Sequence, residues 1–147
     1  MRAPARRKIV KLSLIMPARN EAAALGPLLA EIRRLLPDAE VIVVDDGSTD
    51  GTATVAAGCG ARVISHLYPK GNGAAVKTGA RAATGDILVF MDADGQHRPE
   101  DIPRLLAKLE EGYDMVVGAP CRIMPADTGD SPMLSSTGWP AGWSTIV

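Results

Sequence analysis

Two aspartates stand directly after an apolar run in this chain. Asp92 and Asp94 follow residues 87–91 with Ala93 between them, and Gln96 lies two residues further on. Aspartate is a poor strand residue but a good oxygen ligand for a hard divalent cation, and this spacing lets both carboxylates share one cation. Although such a segment is also common as a simple turn, the set predicts a site for Mg²⁺ or Mn²⁺ that the phosphates of an anionic ligand complete.

A second acidic pair, Asp45 and Asp46, ends the apolar run at residues 41–44. The segment 45–52 contains Asp-Gly twice, together with Ser and Thr, and this composition is typical of a turn followed by a helix cap. The functional alternative is that one of the two carboxylates accepts hydrogen bonds from a ribose or a base. Both interpretations stay open on these residues alone.

The elements that must position these carboxylates alternate regularly along the chain. The predicted strands are residues 11–16, 41–44, 62–65, 87–91 and 115–117. The predicted helices are residues 22–36, 52–58, 74–83 and 102–111. Strands that are apolar throughout and alternate with helices predict an α/β fold, with a mostly parallel sheet and helices on both faces. Because right-handed crossovers bring the carboxyl ends of such strands to one edge, residues 17–21, 45–50 and 92–96 should meet there.

Composition places the chain in a broad class. Its 147 residues suit one domain, whose core must be aliphatic because hydrophobic residues make up 46% and aromatic residues only 3%. Sixteen basic and seventeen acidic residues nearly cancel, so the overall charge gives no case for nucleic acid binding. Cys59 and Cys121 have no metal-ligand spacing and indicate no disulfide framework, which favours a reducing, cytoplasmic compartment.

The two ends of the chain differ from its centre. Residues 1–8 are a basic tail, interpreted as solvated, with a weak attraction to anionic lipid as the alternative. The next apolar stretch is broken by Lys11 and no run reaches the length of a membrane span, so neither a signal peptide nor a transmembrane segment is predicted. Residues 120–147 contain four prolines and no periodicity, so an irregular C-terminal segment is predicted there.

Three further features are interpreted as structural. Residues 71–78 nearly match a phosphate-binding P-loop and a dinucleotide fingerprint, but Val76 replaces a required glycine in both patterns. The accepted interpretation is a glycine turn that opens an Ala-rich helix. His66 and His97 receive no catalytic role, because no Ser/His/Asp or Cys/His arrangement is indicated.

Taken in order, the motifs resemble the family 2 glycosyltransferases with the GT-A fold, a Rossmann-like sandwich. The closest likeness is to the dolichol- or polyprenyl-phosphate mannosyl- and glucosyltransferase branch. The resembling segments are IMPARNE at 15–21, VVDDGSTDGT at 43–52, KGNGAAVKTG at 70–79 and DADGQHRPED at 92–101. The resemblance implies a nucleotide-sugar-binding domain at residues 9–119, the N-terminal donor-binding part of the GT-A fold.

The resemblance also implies roles for the residues at matching positions. In relatives the first loop contacts the nucleotide and the end of the second strand contacts the base and ribose. The DXD motif, here Asp92-Ala93-Asp94, lies against the donor and its metal. The implied donor-binding residues are Pro17, Arg19, Glu21, Val44, Asp46, Asp92, Ala93 and Asp94, and the implied metal ligands are Asp92, Asp94 and Gln96. A metal there neutralises charge on the leaving diphosphate. No catalytic residue is assigned.

The implied reaction is an inverting transfer from a UDP-glucose or GDP-mannose type of donor to polyprenyl phosphate, at the inner face of the membrane. A phosphate acceptor needs no general base, because its second pKa is about 6 and it is largely ionised near neutral pH. Two alternatives are a catalytically inactive nucleotide-sugar-binding module and a sugar-nucleotide pyrophosphorylase, although residues 17–21 lack the glycine-rich loop of the latter. A homodimer that covers an open sheet edge is a further expectation.

The chain departs from this branch after Gly118. Where relatives carry a basic residue that contacts donor phosphate, Ala119 is followed by Pro120, with Arg122 two places later. Relatives continue into an acceptor-side half, and many also carry membrane segments. The hypothesis that follows is a truncated or frameshifted form, for which the step from donor binding to turnover stays open.

Overall fold

The computed structural model describes residues 10–118 and 145–146, which form one six-stranded sheet flanked by helices. The strands are β1 (Leu12–Ala18), β2 (Glu40–Asp45), β3 (Arg62–Ser65), β4 (Ile87–Met91), β5 (Val117–Gly118) and β6 (Thr145–Ile146). The α-helices are α1 (Ala22–Leu35), α2 (Thr52–Gly58), α3 (Asn72–Ala82) and α4 (Ile102–Glu110), the last preceded by a 3₁₀ turn at Pro99–Asp101. Within the described ranges, no helix is both long and apolar enough to cross a membrane.

The sheet has the strand order β3-β2-β1-β4-β6-β5. Strands β1 to β4 are mutually parallel, whereas β6 pairs antiparallel with β4 and with β5. The prediction of an α/β fold with a mostly parallel sheet is therefore confirmed. Because the four parallel strands run in one direction, their carboxyl ends at Ala18, Asp45, Ser65 and Met91 lie along one edge.

Alternation along the strands sends side chains to a helix layer on each face of the sheet. In β2, Val41 and Val43 join a large cluster that includes residues of α1, α2 and the start of α4, whereas Ile42 and Val44 pack with Ala75 of α3. All four β2 side chains are at most 3% exposed. Burial of one such aliphatic side chain stabilises the fold by about 1.5–3 kcal/mol, so the helices on both faces hold the sheet.

One glycine allows α3 to approach the sheet closely. A Cβ added to Gly79 would overlap the Ile15 side chain and come within 3.1 Å of Val44 Cγ2. Only a residue without a side chain fits between the helix and strands β1 and β2. Because α3 follows the carboxyl end of β3, its amino end lies at the carboxyl edge of the sheet.

Three segments differ from the predicted elements, and one of them is the strand predicted at residues 115–117, which begins only at Val117. Pro17 and Ala18, predicted in a loop, lie in β1, where β4 no longer pairs because its register ends at Ile15. Proline is tolerated there because the strand has lost one of its two partners. Thr145–Ile146 falls in the segment predicted to be irregular, yet it forms β6 because β4 offers an open edge for backbone pairing. The basic tail 1–8 and residues 119–144 lie outside the described residues.

Candidate functional site

An open cleft of about 280 Å³ lies at the carboxyl edge of the sheet. Seven of the eight predicted donor-binding residues line this cleft: Pro17, Arg19, Glu21, Asp46, Asp92, Ala93 and Asp94. The ends of β1, β2 and β4 carry them there, as the parallel topology predicts. Gly71, Asn72 and Ala75 also line the cleft, although the sequence interpretation treated their segment only as a helix-opening turn.

Two predicted residues lie elsewhere. Val44 is fully buried between β2 and α3 and does not line the cleft. Gln96 is exposed and also lies outside the cleft lining, but its backbone N–H donates to Asp94 Oδ1 at 2.9 Å. The structure therefore places Val44 in the core and gives Gln96 a contact that orients Asp94.

Asp46 is only 5% exposed, yet it lies against the cleft with its carboxylate satisfied by the protein. Its Oδ1 accepts hydrogen bonds from the Lys70 backbone N–H at 2.8 Å and lies 2.7 Å from His66 Nδ1, while Oδ2 accepts from the Gly71 N–H at 2.8 Å. Burial alone would raise the pKa of Asp46, but these hydrogen bonds and the His66 ring outweigh it and lower the pKa below the ordinary value. Asp46 is thus held as an anion.

His66 is the functional-site neighbour that sequence reasoning missed. Its ring is buried and bridges Asp46 to α3, because Nε2 lies 3.0 Å from Thr78 Oγ1. The available signal was positional: His66 follows β3 directly, at the same sheet edge as the predicted carboxylates. The backbone N–H of His66 donates to the backbone carbonyl of Asp45 at 2.8 Å, and this hydrogen bond continues the pairing of β3 with β2.

The rest of the acidic segment after β2 holds the first loop in place. Asp50 Oδ2 accepts from the Ala22 N–H at 3.2 Å and Oδ1 accepts from the Thr52 N–H at 2.9 Å, so one side chain joins the starts of α1 and α2. The Thr49 N–H donates to Asn20 Oδ1 at 2.8 Å, and Asn20 adopts a φ of 56°, which asparagine tolerates. The turn interpretation of this segment therefore applies at Asp50, which binds the first N–H group of α1 and of α2, whereas Asp46 lies at the cleft.

The turn that carries the DXD motif is closed by His97. The Asp92 backbone N–H donates to His97 Nδ1 at 3.0 Å, and His97 Nε2 lies 3.7 Å from Asp92 Oδ2. Burial lowers the pKa of His97, although the charges of Asp92 and Asp94 oppose this effect. The lowered pKa favours the neutral ring. With Nδ1 accepting, the proton of the neutral ring is on Nε2. The structural role predicted for His97 is consistent with these contacts.

The two carboxylates of the DXD motif fit a divalent cation. Burial raises the pKa of Asp92, and the charge of Asp94 raises it further, although His97 opposes both effects. A cation at this point would stabilise both anions. In the described part of the chain, no three His, Cys, Asp or Glu side chains are grouped to hold a metal. Two carboxylates completed by phosphate and water oxygens are the arrangement that suits Mg²⁺ and Mn²⁺.

The parallel sheet with helices on both faces and an acidic cleft at its carboxyl edge has the GT-A fold, which similar solved structures share. Residues 13–145 match the model of the family described as Glycosyl transferase family 2, and the chain belongs to that family. The predicted family and fold are thereby confirmed.

Curated relatives share this region. The chain is 38% identical over 118 residues to undecaprenyl-phosphate 4-deoxy-4-formamido-L-arabinose transferase of Enterobacter sp. (strain 638), across 74% of this chain and 36% of the relative. It is 42% identical over 107 residues to an uncharacterized glycosyltransferase of Mycobacterium tuberculosis, across 73% of this chain and 47% of the relative. The chain thus spans less than half the length of these relatives.

Solved structures show the same architecture. Glucosyl-3-phosphoglycerate synthase of Mycobacterium tuberculosis in complex with Mn²⁺, uridine diphosphate and phosphoglyceric acid superposes with a TM-score of 0.63 at 35% identity, across 72% of this chain and 42% of that one. Mannosyl-3-phosphoglycerate synthase of Rubrobacter xylanophilus superposes with a TM-score of 0.62 at 32% identity, across 70% of this chain and 37% of that one.

Proposed function

We propose that this chain binds a nucleoside-diphosphate sugar in the cleft and, with Mg²⁺ or Mn²⁺, transfers the sugar to an acceptor. The observation that carries this proposal is the convergence of Asp46, Asp92 and Asp94 on one cleft of a family 2 domain. Asp46 faces the nucleoside end, and Asp92 and Asp94 face the diphosphate. The mycobacterial synthase in complex with Mn²⁺ and uridine diphosphate supports a nucleoside-diphosphate donor and a divalent cation.

The proposed roles follow from charge and hydrogen-bonding capacity. Asp46, held as an anion, accepts hydrogen bonds from a ribose hydroxyl or a base N–H. Asp92 and Asp94 hold the divalent cation, which neutralises the charge on the leaving nucleoside diphosphate. Arg19 and Glu21 line the cleft from the β1 side and position the nucleotide. Gln96 supports the cation site through the turn that orients Asp94.

The proposed acceptor is a polyprenyl phosphate at a membrane surface, with inversion at the sugar carbon. The name of the Enterobacter relative supports this acceptor class. A phosphate oxygen is largely ionised near neutral pH and attacks without a general base, because its second pKa is about 6. The phosphoglycerate synthases are the contrasting case, and their names point to a phosphoglycerate acceptor.

Donor binding is tested by calorimetric titration of UDP-glucose and GDP-mannose with Mn²⁺ and with a chelator. We expect binding of one donor to need the metal and to be lost in Asp92→Asn/Asp94→Asn. The matched control is Asp38→Asn/Asp114→Asn, which removes the same charge from exposed positions. Binding that ignores the metal and both aspartates would refute the site.

Transfer is tested separately, with a radiolabelled donor and a short-chain polyprenyl phosphate. Transfer that depends on Asp92 and Asp94 supports the transferase. Metal-dependent donor binding without transfer to any acceptor tested supports instead the nucleotide-sugar-binding module. Release of pyrophosphate from a sugar phosphate and a nucleoside triphosphate would favour a pyrophosphorylase.

A further inference from the structure

The loop between β3 and α3 presents an unusual apolar pair to solvent. Leu67 is 99% exposed and Tyr68 is 63% exposed. Lys70 follows in the same loop, with Nζ 5.4 Å from the centre of the Tyr68 ring. A leucine with almost no protein contact contributes nothing to the core, so the described fold gives no reason for an apolar residue at this position.

The outer side of α3, the helix that follows this loop, is basic. Ala75 and Gly79 are buried against the sheet, and Lys77 and Arg81, one turn apart, are exposed on the opposite side of the helix. We name Leu67, Tyr68, Lys70, Lys77 and Arg81 the α3 face. It combines an apolar tip with three cationic groups, Lys70 in the loop and Lys77 and Arg81 on the helix.

The charge of this surface differs from that of the rest of the molecule. Residues 51–85 contain no Asp or Glu, whereas the whole chain has a net charge of −1. Residues 86–118, which form β4, α4 and their connections, are rich in acidic side chains. Two acidic side chains lie close to this surface: Asp46, buried against the Lys70 and Gly71 N–H groups, and Glu40, whose carboxylate lies 3.6 Å from Arg62 and accepts from Thr84. The molecule is therefore polarised, with its positive side at the α3 face.

We propose that the α3 face docks the protein on an anionic lipid bilayer. Leu67 and Tyr68 enter the headgroup region, and Lys70, Lys77 and Arg81 lie against the lipid phosphates. An anionic bilayer can bind both the apolar pair and the three cationic side chains, whereas nucleic acid would attract the cations and leave Leu67 in water. A second copy docked face to face would bring like charges together, which disfavours a symmetric dimer on this surface.

Docking on this surface would also place the cleft at the membrane. Gly71 follows Lys70, lines the cleft and donates its N–H to Asp46. The rim of the cleft is thus held by the loop that touches the bilayer, which is where a polyprenyl phosphate is found. This functional link rests on the proposed function, but the docking itself uses no donor, metal or acceptor.

The test is co-sedimentation of the whole chain with vesicles, without donor or metal. Vesicles of phosphatidylcholine alone are compared with vesicles that also contain phosphatidylglycerol. We expect binding only to the anionic vesicles, weakened by salt and reduced about tenfold or more by Lys77→Glu/Arg81→Glu. The matched control is Arg104→Glu/Lys108→Glu, which reverses two exposed charges one turn apart on α4 and should leave binding unchanged.

A second pair of variants tests the apolar tip. Leu67→Ser/Tyr68→Ser should weaken vesicle binding, and Tyr113→Ser/Met115→Ser, at positions 57% and 60% exposed, should not. Circular dichroism and donor titration confirm that each variant folds and keeps its cleft, so failed docking is distinguishable from a failed donor site. Absence of vesicle binding, or equal losses in the α4 control, would overturn the proposal. A dimer detected by light scattering, and converted to a monomer by Leu67→Ser/Tyr68→Ser, would also overturn the proposal.

Discussion

Asp46 Oδ1 lies 2.7 Å from His66 Nδ1, and both side chains are buried at the carboxyl edge of the sheet. This contact joins the end of β2 to the residue after β3. Because the same carboxylate also accepts from the N–H groups of Lys70 and Gly71, it fixes the loop that opens α3. The position of the Asp46 carboxylate is therefore set by β2, by the residue after β3 and by the loop before α3.

We predict that His66 is a positioning residue for donor binding. His66→Ala removes a hydrogen bond to a charged group, worth about 1.5–3 kcal/mol, and should raise the donor dissociation constant about tenfold. His66→Asn, which restores an N–H donor close to Nδ1, should recover much of the affinity. Thr78→Val removes only the outer hydrogen bond and should have a smaller effect. A His66→Ala protein with a lower Tm but unchanged donor affinity would contradict this role.

The second prediction concerns Gln96. Because it lies outside the cleft and orients Asp94 through its backbone N–H, Gln96→Ala should change Mn²⁺-dependent donor binding less than threefold, below about 0.7 kcal/mol. Asp94→Asn, which removes a proposed cation ligand, should abolish that binding within the range of calorimetry. Equal losses in the two variants would instead restore Gln96 as a metal ligand.

Packing of α3 provides a third prediction. Gly79→Ala places a methyl group against Ile15 and should lower the free energy of unfolding by about 1–3 kcal/mol, despite the better helix propensity of alanine. The control is Gly73→Ala in the same helix, where nothing lies within 4 Å of the added Cβ. That change should stabilise by about 0.5–1 kcal/mol. Urea denaturation measures the change in the free energy of unfolding for both variants. Changes of the same sign would contradict the packing of α3 described here.

The fourth prediction is a pH dependence of stability. The pKa of Asp46 in the folded protein is below its ordinary value of 3.8, because hydrogen bonds to the anion outweigh burial. Above 3.8 this carboxylate contributes its full stabilisation. As the pH falls below 3.8 and through the folded pKa, the unfolded state takes up the proton more readily and the contribution is lost.

The measurement compares the unfolding free energy of the unmodified protein with that of Asp46→Asn from neutral pH into acid. The difference between them should be largest near neutral pH and shrink as the solution becomes acidic. Glu40 also has a lowered pKa, through Ser13 and Thr84 against its burial, but its effect cancels in this difference. The exposed control Asp114→Asn should show no such trend, and a constant difference for Asp46→Asn would refute the prediction.

Local patterns along the chain determined the fold class and most of the cleft. The apolar runs before Asp45 and Asp92 defined two buried parallel strands, and the direction of those strands placed the acidic residues at one edge. The period of Leu25, Leu29 and Ile32 likewise defined the buried stripe of α1. These features depend on residues close in sequence, so periodicity was sufficient for the strands, the helices and the shared edge, and the family resemblance supplied the individual cleft residues.

Tertiary contacts decided the rest, because they join residues far apart in sequence. Asp46 and His66 are twenty residues apart in sequence, and no local pattern encodes the 2.7 Å contact between their side chains. Val44 lies on the opposite face of the sheet from Val43, and it is buried because α3 packs on that face. The sequence by itself determined that carboxylates end two strands at one edge. Only the packed structure decided which of them reaches the cleft and which side chains hold it there.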